Sequence, residues 1–488
     1  FGERYLLDLI TSTNYYSDGQ IYNEDFVYGS FLQSKMFKKG VVCSNCHDPH
    51  SAKLKLPKET LCLQCHESNT YANKTHHQHK DDSTGAQCVN CHMPETTYME
   101  IDPRRDHGFH IPRPDLALQL EVPDTCLSCH EDKTSHWSLE KLNTWFPKSS
   151  KRTEHQQEKD FAEVFHATTF AQSLSNQEWL NVTKELSRIS QDINYAPIIR
   201  ASALTRMSGV LNNNSVVALA RALKSKNENV RLGAVLALEN SQDQSGNRQT
   251  MDSIKWRMLS PLLTDNVLGI RITVAFILTS QWQQLNSEQI KQLTPALNEY
   301  LQSQNFNSDR SFSHSNKGIV LSYQGKFEEA IKSFKQGINI DESFAQAYVN
   351  LSQVYRQLGQ NKQTISTLKE GIVTNPDDAQ LPFELAMAYI REQDKASASK
   401  YLAQATKLAP QNSHYFYVLG LSLEEQNKMQ AYKAISQAYN LSQNPQHLYA
   451  LCEMQVRHQA FQAKQCLNKL SAVAPQNVIE QLQGQLKH

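Results

Sequence analysis

The sequence lacks any long hydrophobic run. Among its 488 residues there is no apolar stretch of about 18 residues or more, the length that marks a membrane-spanning helix. It also lacks net charge, because 49 lysines and arginines balance 49 aspartates and glutamates. A chain without excess positive charge has no bulk attraction for nucleic acid. We therefore predict no transmembrane segment and no nucleic-acid partner.

One five-residue pattern, Cys-x-x-Cys-His, occurs four times between residues 43 and 130. With 10 cysteines and 18 histidines in the chain, random placement would give about 0.008 such matches. The pattern is the attachment signature of c-type haem, in which two thiols bind the vinyl groups and the histidine binds the iron. We predict four haem c groups on these residues: Cys43, Cys46 and His47; Cys62, Cys65 and His66; Cys88, Cys91 and His92; Cys126, Cys129 and His130.

Two other uses of cysteine pairs explain the pattern less well. Zinc ribbons also contain Cys-x-x-Cys pairs, but a zinc site gives no reason for a histidine after every pair. A thioredoxin-like motif needs a single pair within an α/β domain, and no such alternation surrounds these four. The haem interpretation is therefore favoured.

The segment from residue 43 to about 136 contains too few apolar residues for an ordinary core. Proline also interrupts any long helix in this segment, at Pro49, Pro57, Pro94, Pro103, Pro112, Pro114 and Pro123. We therefore expect the haem groups themselves to supply the buried apolar mass.

The same segment has spare histidines, and each six-coordinate haem iron needs a second axial ligand. Positions 76 and 79 would share one face of a helix while 77 points away, so two of the three could serve different haems. An exposed surface histidine is the alternative for any single member. The candidates for the distal ligands are His50, His76, His77, His79 and His107, with His110, His136, Met93 and Met99 ranked lower.

Several motifs together resemble a known group of proteins. Three stretches resemble the haem portion of multihaem c-type cytochromes with C-terminal tetratricopeptide repeats. They are the run from Tyr28 to Met36, the motif Cys91-His92-Met-Pro94 and the motif Pro103-Arg-Arg-Asp-His107. These are similar to the wider lineage of pentahaem nitrite reductase and octahaem hydroxylamine oxidoreductase. The resemblance implies an exported bacterial electron-transfer protein, periplasmic or otherwise extracytoplasmic. By analogy it implies His50, the 76–79 cluster and His107 as distal ligands.

The chain begins with Phe1 and shows no signal peptide. Members of the group generally carry further haem motifs upstream, so we expect the haem domain to be incomplete at its N-terminus. Some of the spare histidines could then bind haems outside this chain. Outside the motifs, Cys452 and Cys466 remain, and an oxidising compartment would permit a disulfide between them.

The rest of the chain contains helical repeats. An aliphatic residue followed by arginine, with a small or branched residue three positions after the arginine, occurs three times, at Ile199-Arg200, Val230-Arg231 and Ile270-Arg271. This recurring pattern resembles HEAT repeats. Further on, small residues recur every 34 positions, the tetratricopeptide period, at Gly318, Ser352, Ala386 and Gly420. The predicted fold is mostly α. In order along the chain, we predict a loop-rich multihaem cytochrome c domain (1–146), a linker (147–160), HEAT-like repeats (161–305) and tetratricopeptide repeats (306–488).

Two functions fit this organisation. The favoured one is an electron carrier without catalytic residues, whose closely spaced bis-histidine haems serve a redox partner protein and whose repeat groove docks a peptide or protein. The alternative is an oxidoreductase of the nitrite reductase or hydroxylamine oxidoreductase type with one five-coordinate haem, its pocket lined by Tyr98, Arg104, Arg105 and His110. Self-assembly through haem or repeat surfaces stays open.

Overall fold

A computed structural model describes residues 8–24, 27–147, 156–170, 174–209, 211–241 and 248–486. The chain divides into two compact units, Phe1–Val274 and Ala275–His488. The secondary structure of the described residues is almost entirely helical, which confirms the predicted mostly α fold. Within these ranges no helix is both long and apolar enough to cross a bilayer. Residues 148–155 of the predicted linker lie outside the described residues, and a helix begins at Gln156.

The segment with the haem motifs has only short elements. Its α-helices are α1 Val27–Gln33, α2 Lys35–Lys38, α3 Cys43–Cys46, α4 Ser68–Tyr71, α5 Lys74–His77, α6 Cys88–His92, α7 Pro114–Leu120 and α8 Ser135–Trp145. Three 3-10 helices span Lys58–Gln64, Thr84–Ala86 and Thr125–Ser128. Strands β1 Glu95–Tyr98 and β2 Asp102–Arg105 pair antiparallel, with Glu95 opposite Arg105.

This segment has almost no protein core of its own. None of the residues 43–97, all of which the structure describes, is buried. Apolar burial is the main driving force of folding, so this stretch needs a large apolar group to hold it together. The observation agrees with the prediction that haem supplies the missing mass.

The N-terminal residues of the segment hold it against the helices that follow. The backbone N–H of Ile10 donates to Ser202 Oγ at 2.9 Å, and the Arg206 side chain donates to the Ile10 carbonyl. Lys38 Nζ donates to the Asn194 carbonyl at 2.9 Å. The haem motifs are therefore attached to a folded helical support inside the first unit.

That support consists of α9 Gln156–Thr169, α10 Asn176–Gln191, α11 Pro197–Thr205, α12 Asn213–Ala222, α13 Glu228–Glu239 and α14 Arg248–Leu259. The boundary between the two units falls within the next helix, α15 Leu268–Thr279. A side chain at Gly233 would place its Cβ 2.4 Å from the Ala201 carbonyl oxygen, so α11 and α13 pack almost backbone to backbone. The buried Arg231 binds Asp265 through Nε and Nη2 at 2.8 and 2.9 Å. Whether these helices are HEAT repeats stays a prediction.

The second unit contains helical hairpins: α16 Ser287–Phe306, α17 Ser311–Tyr323, α18 Phe327–Ile340, α19 Ala345–Gln357, α20 Asn361–Thr374, α21 Gln380–Arg391, α22 Lys395–Leu408, α23 Ser413–Leu423, α24 Lys428–Ser442, α25 Pro445–Arg457, α26 Ala463–Leu470 and α27 Gln476–Gln483. A Cβ at Gly318 would lie 2.7 Å from Phe334, and one at Gly420 2.3 Å from Ile435. At these two positions of the 34-residue period a residue larger than glycine would therefore collide with the paired helix. Cys452 and Cys466 form the disulfide that the sequence permitted.

Candidate haem-binding site

Each Cys-x-x-Cys-His motif forms one tight turn. The backbone N–H of the histidine donates to the carbonyl of the first cysteine in the first, second and fourth motifs, at 2.9 Å from His47 to Cys43 and 3.0 Å in the other two. The third motif is the helix α6 itself. The two thiols therefore lie near one another in each motif, as attachment to one haem edge requires.

The thiols of consecutive motifs are neighbours in the fold. The Cys62 thiol donates a hydrogen bond to Cys88, which raises the pKa of Cys62 and lowers that of Cys88 to about 7. The thiols of Cys46 and Cys65 are close enough for their charges to interact, which places the first motif beside the second. The thiols of Cys91 and Cys129 interact in the same way, which places the third motif beside the fourth. The four motifs thus follow one another in space in the order they have in the sequence.

Three motif histidines each face a second histidine from elsewhere in the segment. The ring centroids are 6.3 Å apart for His47 and His107, 6.2 Å for His92 and His76, and 6.1 Å for His130 and His79. The ring planes differ by 31°, 14° and 31° respectively. At a metal–nitrogen bond of about 2.0 Å, two imidazoles on opposite sides of one iron have centroids roughly 6.3 Å apart. These residues therefore fit a haem iron between each pair.

Backbone carbonyls orient several of these imidazoles. His47 Nδ1 lies 2.7 Å from the carbonyl oxygen of Ala52. His92 Nδ1 lies 2.9 Å from the carbonyl oxygen of His110, and His107 Nδ1 lies 2.8 Å from that of Arg105. His79 makes the same contact with the His77 carbonyl. A proton held on Nδ1 leaves the lone pair on Nε2, the nitrogen that a metal then binds.

Burial and aromatic rings surround the paired histidines. Burial lowers the pKa of His92, which favours the neutral imidazole that a metal binds. The Trp137 ring lies 4.9 Å from that of His130, and the Phe109 ring lies 6.0 Å from that of His107. The environment is thus the partly apolar one that a haem face would contact.

The second motif differs from the other three. His66 is exposed, and in the described part of the chain the ring against it is Tyr71, 5.5 Å away and at 87° to it, rather than a histidine. Tyr71 in turn lies 5.2 Å from His76. The described residues therefore bring no second imidazole to His66, where the iron of the second motif is predicted.

Among the described residues, none of the remaining candidate histidines places its ring against that of a motif histidine. His50 is exposed in the loop after the first motif, and His77 Nε2 is 3.5 Å from Asp81. The rings of His76 and His79 lie against the histidines of different motifs, but not from one helical face as the sequence suggested. The helix α5 ends at His77, and Gln78 takes the left-handed conformation with φ 60°, which redirects the chain before His79.

One residue of the site carried no signal in the sequence. A Cβ at Gly85 would lie only 2.3 Å from Cδ2 of His79, so only glycine leaves room for this imidazole. A lone glycine in a polar loop has many explanations, and the close approach is visible only in three dimensions. The backbone carbonyls that bind Nδ1 were likewise missed, because every residue type supplies one.

Comparisons with known proteins agree with both halves of this description. The family described as a doubled CXXCH motif matches residues 35–71. Families described as TPR repeat and tetratricopeptide repeat match residues 318–359, 345–378 and 383–446. The chain therefore combines a paired CXXCH haem-binding motif with C-terminal tetratricopeptide repeats. Among curated proteins no significant match is found.

Solved structures match only part of the chain. YrrB, described as a TPR protein with an unusual peptide-binding site, is 16% identical, with coverage of 38% of this chain and 96% of its own and a TM-score of 0.32. MamA from Desulfovibrio magneticus RS-1 is 16% identical, with 35% and 95% covered and a TM-score of 0.27. The C-terminal part of a TPR protein from Cytophaga hutchinsonii is 13% identical, with 49% and 95% covered and a TM-score of 0.36.

Proposed function

We propose that this chain is an extracytoplasmic electron-transfer protein with four haem c groups and a tetratricopeptide arm for docking. The observation that carries the proposal is the set of three imidazole pairs at the separation an iron requires. Neither a zinc site nor a structural histidine cluster explains why the pairing recurs with a motif histidine in each case.

The roles of the residues follow from this geometry. The eight motif cysteines would hold the cofactors covalently, and the imidazole pairs His47 with His107, His92 with His76 and His130 with His79 would hold the irons. Bound haem c would supply one-electron redox chemistry. Four of the six imidazoles would be kept in one tautomer by their Nδ1 contacts with backbone carbonyls, those of His47, His92, His107 and His79.

Two further features support the location and the partners. The disulfide between Cys452 and Cys466 is of the kind that persists in oxidising compartments, and haem c attachment is typical of the same compartments. Tetratricopeptide repeats bind proteins or peptides, and we infer that a redox partner docks there. The link to the nitrite reductase and hydroxylamine oxidoreductase lineage is part of this proposal and rests on the sequence resemblance.

A second function is favoured by one observation, the exposed His66 with Tyr71 rather than a histidine against it. An iron bound there by a single protein ligand would leave one position for a small molecule, as the alternative of an oxidoreductase requires. Electron transfer remains the favoured function, because the other three motif histidines are paired.

The test combines mass and spectroscopy. The denatured protein should exceed the polypeptide mass by four haems that acid extraction does not remove. The electron paramagnetic resonance spectrum of the ferric protein should show three low-spin bis-histidine haems. A fourth, high-spin haem together with turnover of nitrite or hydroxylamine would establish the alternative, and a chain with no covalent haem would refute both functions.

A further inference from the structure

The second helices of the hairpins in the second unit carry an excess of positive charge. In three consecutive hairpins these helices are α20, α22 and α24, and together they hold seven lysines and one acidic residue, Glu370, for a net charge of +6. The first helices of the same hairpins, α19, α21 and α23, hold no lysine, and their two basic residues are Arg356 and Arg391. The chain as a whole is neutral, so this charge is a local property of the second helices.

Five of these lysines lie on the sides of the helices that face away from the core. An α-helix turns by about 100° per residue, so residues seven apart lie on the same side. Lys362 and Lys369 lie opposite the buried residues of α20, and Lys400 and Lys407 lie opposite those of α22. Lys433 has the same place on α24. All five residues are exposed, and we call them the outer lysine face.

A shared core holds these three helices side by side. Tyr401 of α22 packs against the buried cluster that contains Leu368 of α20. Leu402 of α22 and Ala434 of α24 belong to a further buried cluster. Because the inner sides of the helices meet in these clusters, their outer sides lie next to one another and face the solvent together.

A series of side-chain contacts also connects the outer sides of α20 and α22. Lys369 Nζ lies 5.7 Å from the centre of the Tyr389 ring. Tyr389 stacks on Tyr401, with ring centroids 5.8 Å apart and planes 4° apart. Lys400 Nζ lies 5.5 Å from the centre of the Tyr401 ring. The two lysines therefore flank one pair of stacked rings and belong to one surface.

The outer lysine face combines uncompensated charge with exposed apolar side chains. In the described part of the second unit none of its lysines forms an ion pair with a carboxylate, whereas Lys395 at the start of α22 binds Glu425. One helical turn from these lysines, Val373 is 80% exposed and Met429 is 56% exposed. A surface that only keeps a protein in solution mixes charges of both signs and exposes few apolar side chains.

We propose that the outer lysine face binds the anionic surface of a lipid bilayer. Each lysine close to such a surface is attracted by the phosphate groups, and Val373 and Met429 are placed to enter the boundary between the headgroups and the acyl chains. Binding through the second helices leaves the first helices available to a protein partner. The proposal requires no haem, so it goes beyond the proposed function.

The composition of the face favours lipid over protein or nucleic acid. Protein–protein interfaces are enriched in arginine and depleted in lysine, yet every basic residue of α20, α22 and α24 is a lysine. Arginine is also the residue suited to bidentate recognition of nucleic-acid phosphates. Single strands need free aromatic rings for base stacking, and the rings of Tyr389 and Tyr401 are stacked on each other. A fluid layer of lipid phosphates requires only charge and apolar contact.

The experiment measures sedimentation of the holoprotein with vesicles of phosphatidylcholine that contain about 30% phosphatidylglycerol, with pure phosphatidylcholine as the reference. The test variant is Lys362→Glu/Lys400→Glu/Lys407→Glu. The matched control is Lys291→Glu/Arg310→Glu/Lys326→Glu, which makes the same change of net charge at exposed residues of the same unit outside the outer lysine face. At about 20 mM ionic strength we expect the wild type and the control to bind alike, and the test variant about tenfold or more weaker.

Further measurements separate the two contributions. Salt at about 0.5 M should release most of the wild type, because the Debye length falls to about 4 Å. Val373→Ser/Met429→Ser should weaken binding severalfold at low salt. The neutral variant Lys362→Gln/Lys400→Gln/Lys407→Gln should weaken binding less than the charge-reversed one, and it provides the same test if the charge-reversed protein does not fold.

The proposal is overturned if the wild type does not bind the anionic vesicles, if it binds pure phosphatidylcholine equally well, or if both triple glutamate variants lose binding equally. Binding of the wild type to polyglutamate or to duplex DNA, without binding to the vesicles, would overturn it in favour of an acidic protein or a nucleic acid. None of these results changes the haem mass or the haem spectra, so failure of this proposal is distinguishable from failure of the proposed function.

Discussion

Replacing Gly85 by alanine tests the predicted ligation of the haem on His130, in the last of the four motifs, without touching a ligand. The added Cβ would lie 2.3 Å from Cδ2 and 2.6 Å from Cγ of His79, whereas carbon atoms in contact are about 3.5 Å apart or more. The imidazole must therefore retreat by roughly 1 Å. An iron–nitrogen bond of about 2.0 Å cannot stretch that far and remain a bond. We expect the haem on His130 to lose its distal ligand.

The measurement is the electron paramagnetic resonance spectrum of the ferric protein, with the visible spectrum beside it. One haem of the four should change from low spin to high spin, and the other three should keep their signals. Thermal unfolding should change little, because the obstructing group is a side chain that can rotate rather than backbone.

Gly108→Ala is the matched control. Its Cβ would lie 2.1 Å from Nε2 of His110. In the described part of the chain this histidine contacts a motif histidine, His92, through its backbone carbonyl and not through its ring. We expect this variant to keep all its low-spin signals. A fully low-spin Gly85→Ala protein would refute the pairing of His79 with His130, and a high-spin signal in both variants would show general loosening of the segment.

Three further changes have expected outcomes. His107→Ala should make the haem on the first motif high-spin, with added imidazole restoring the low-spin signal. Cys452→Ser/Cys466→Ser should destabilise the second unit by about 3 kcal/mol and lower its melting temperature by roughly 6–12 °C, because the disulfide closes a loop with a sequence separation of 14. Gly233→Ala should destabilise the first unit by about 1–3 kcal/mol through backbone overlap, while Gly484→Ala, with ordinary contacts, should not destabilise the protein.

Each of these has a result that would contradict it. A His107→Ala protein that stays low-spin would make His107 structural and His110 the next candidate for the ligand. A double serine variant that melts like the wild type, or a wild type unaffected by reductant, would deny the disulfide a stabilising role. Equal melting of the two glycine variants by differential scanning calorimetry would mean that the helices at position 233 separate at little cost.

Local sequence was sufficient wherever the chemistry is local. Thioether attachment needs two cysteines and a histidine within five residues, so the attachment residues of each haem can be read directly from the chain. The repeats can also be recognised from the sequence, because a side chain at a helix crossing such as Gly318 or Gly420 would push the paired helices apart, so a small residue recurs there. The scarcity of apolar residues after residue 43 likewise predicted a segment without a core of its own, and no residue of 43–97 is buried.

The pairing of the histidines was decided by the tertiary structure alone. His107 lies 60 positions from His47, and no sequence spacing links them, because the two rings meet only when separate loops fold onto one another. His76 and His79 are three residues apart, yet the left-handed Gln78 directs them to different motifs. The sequence therefore determined that this chain binds haem covalently. The register of the loops determined which histidine ring lies against each motif histidine, because that pairing depends on distance in space and not on position along the chain.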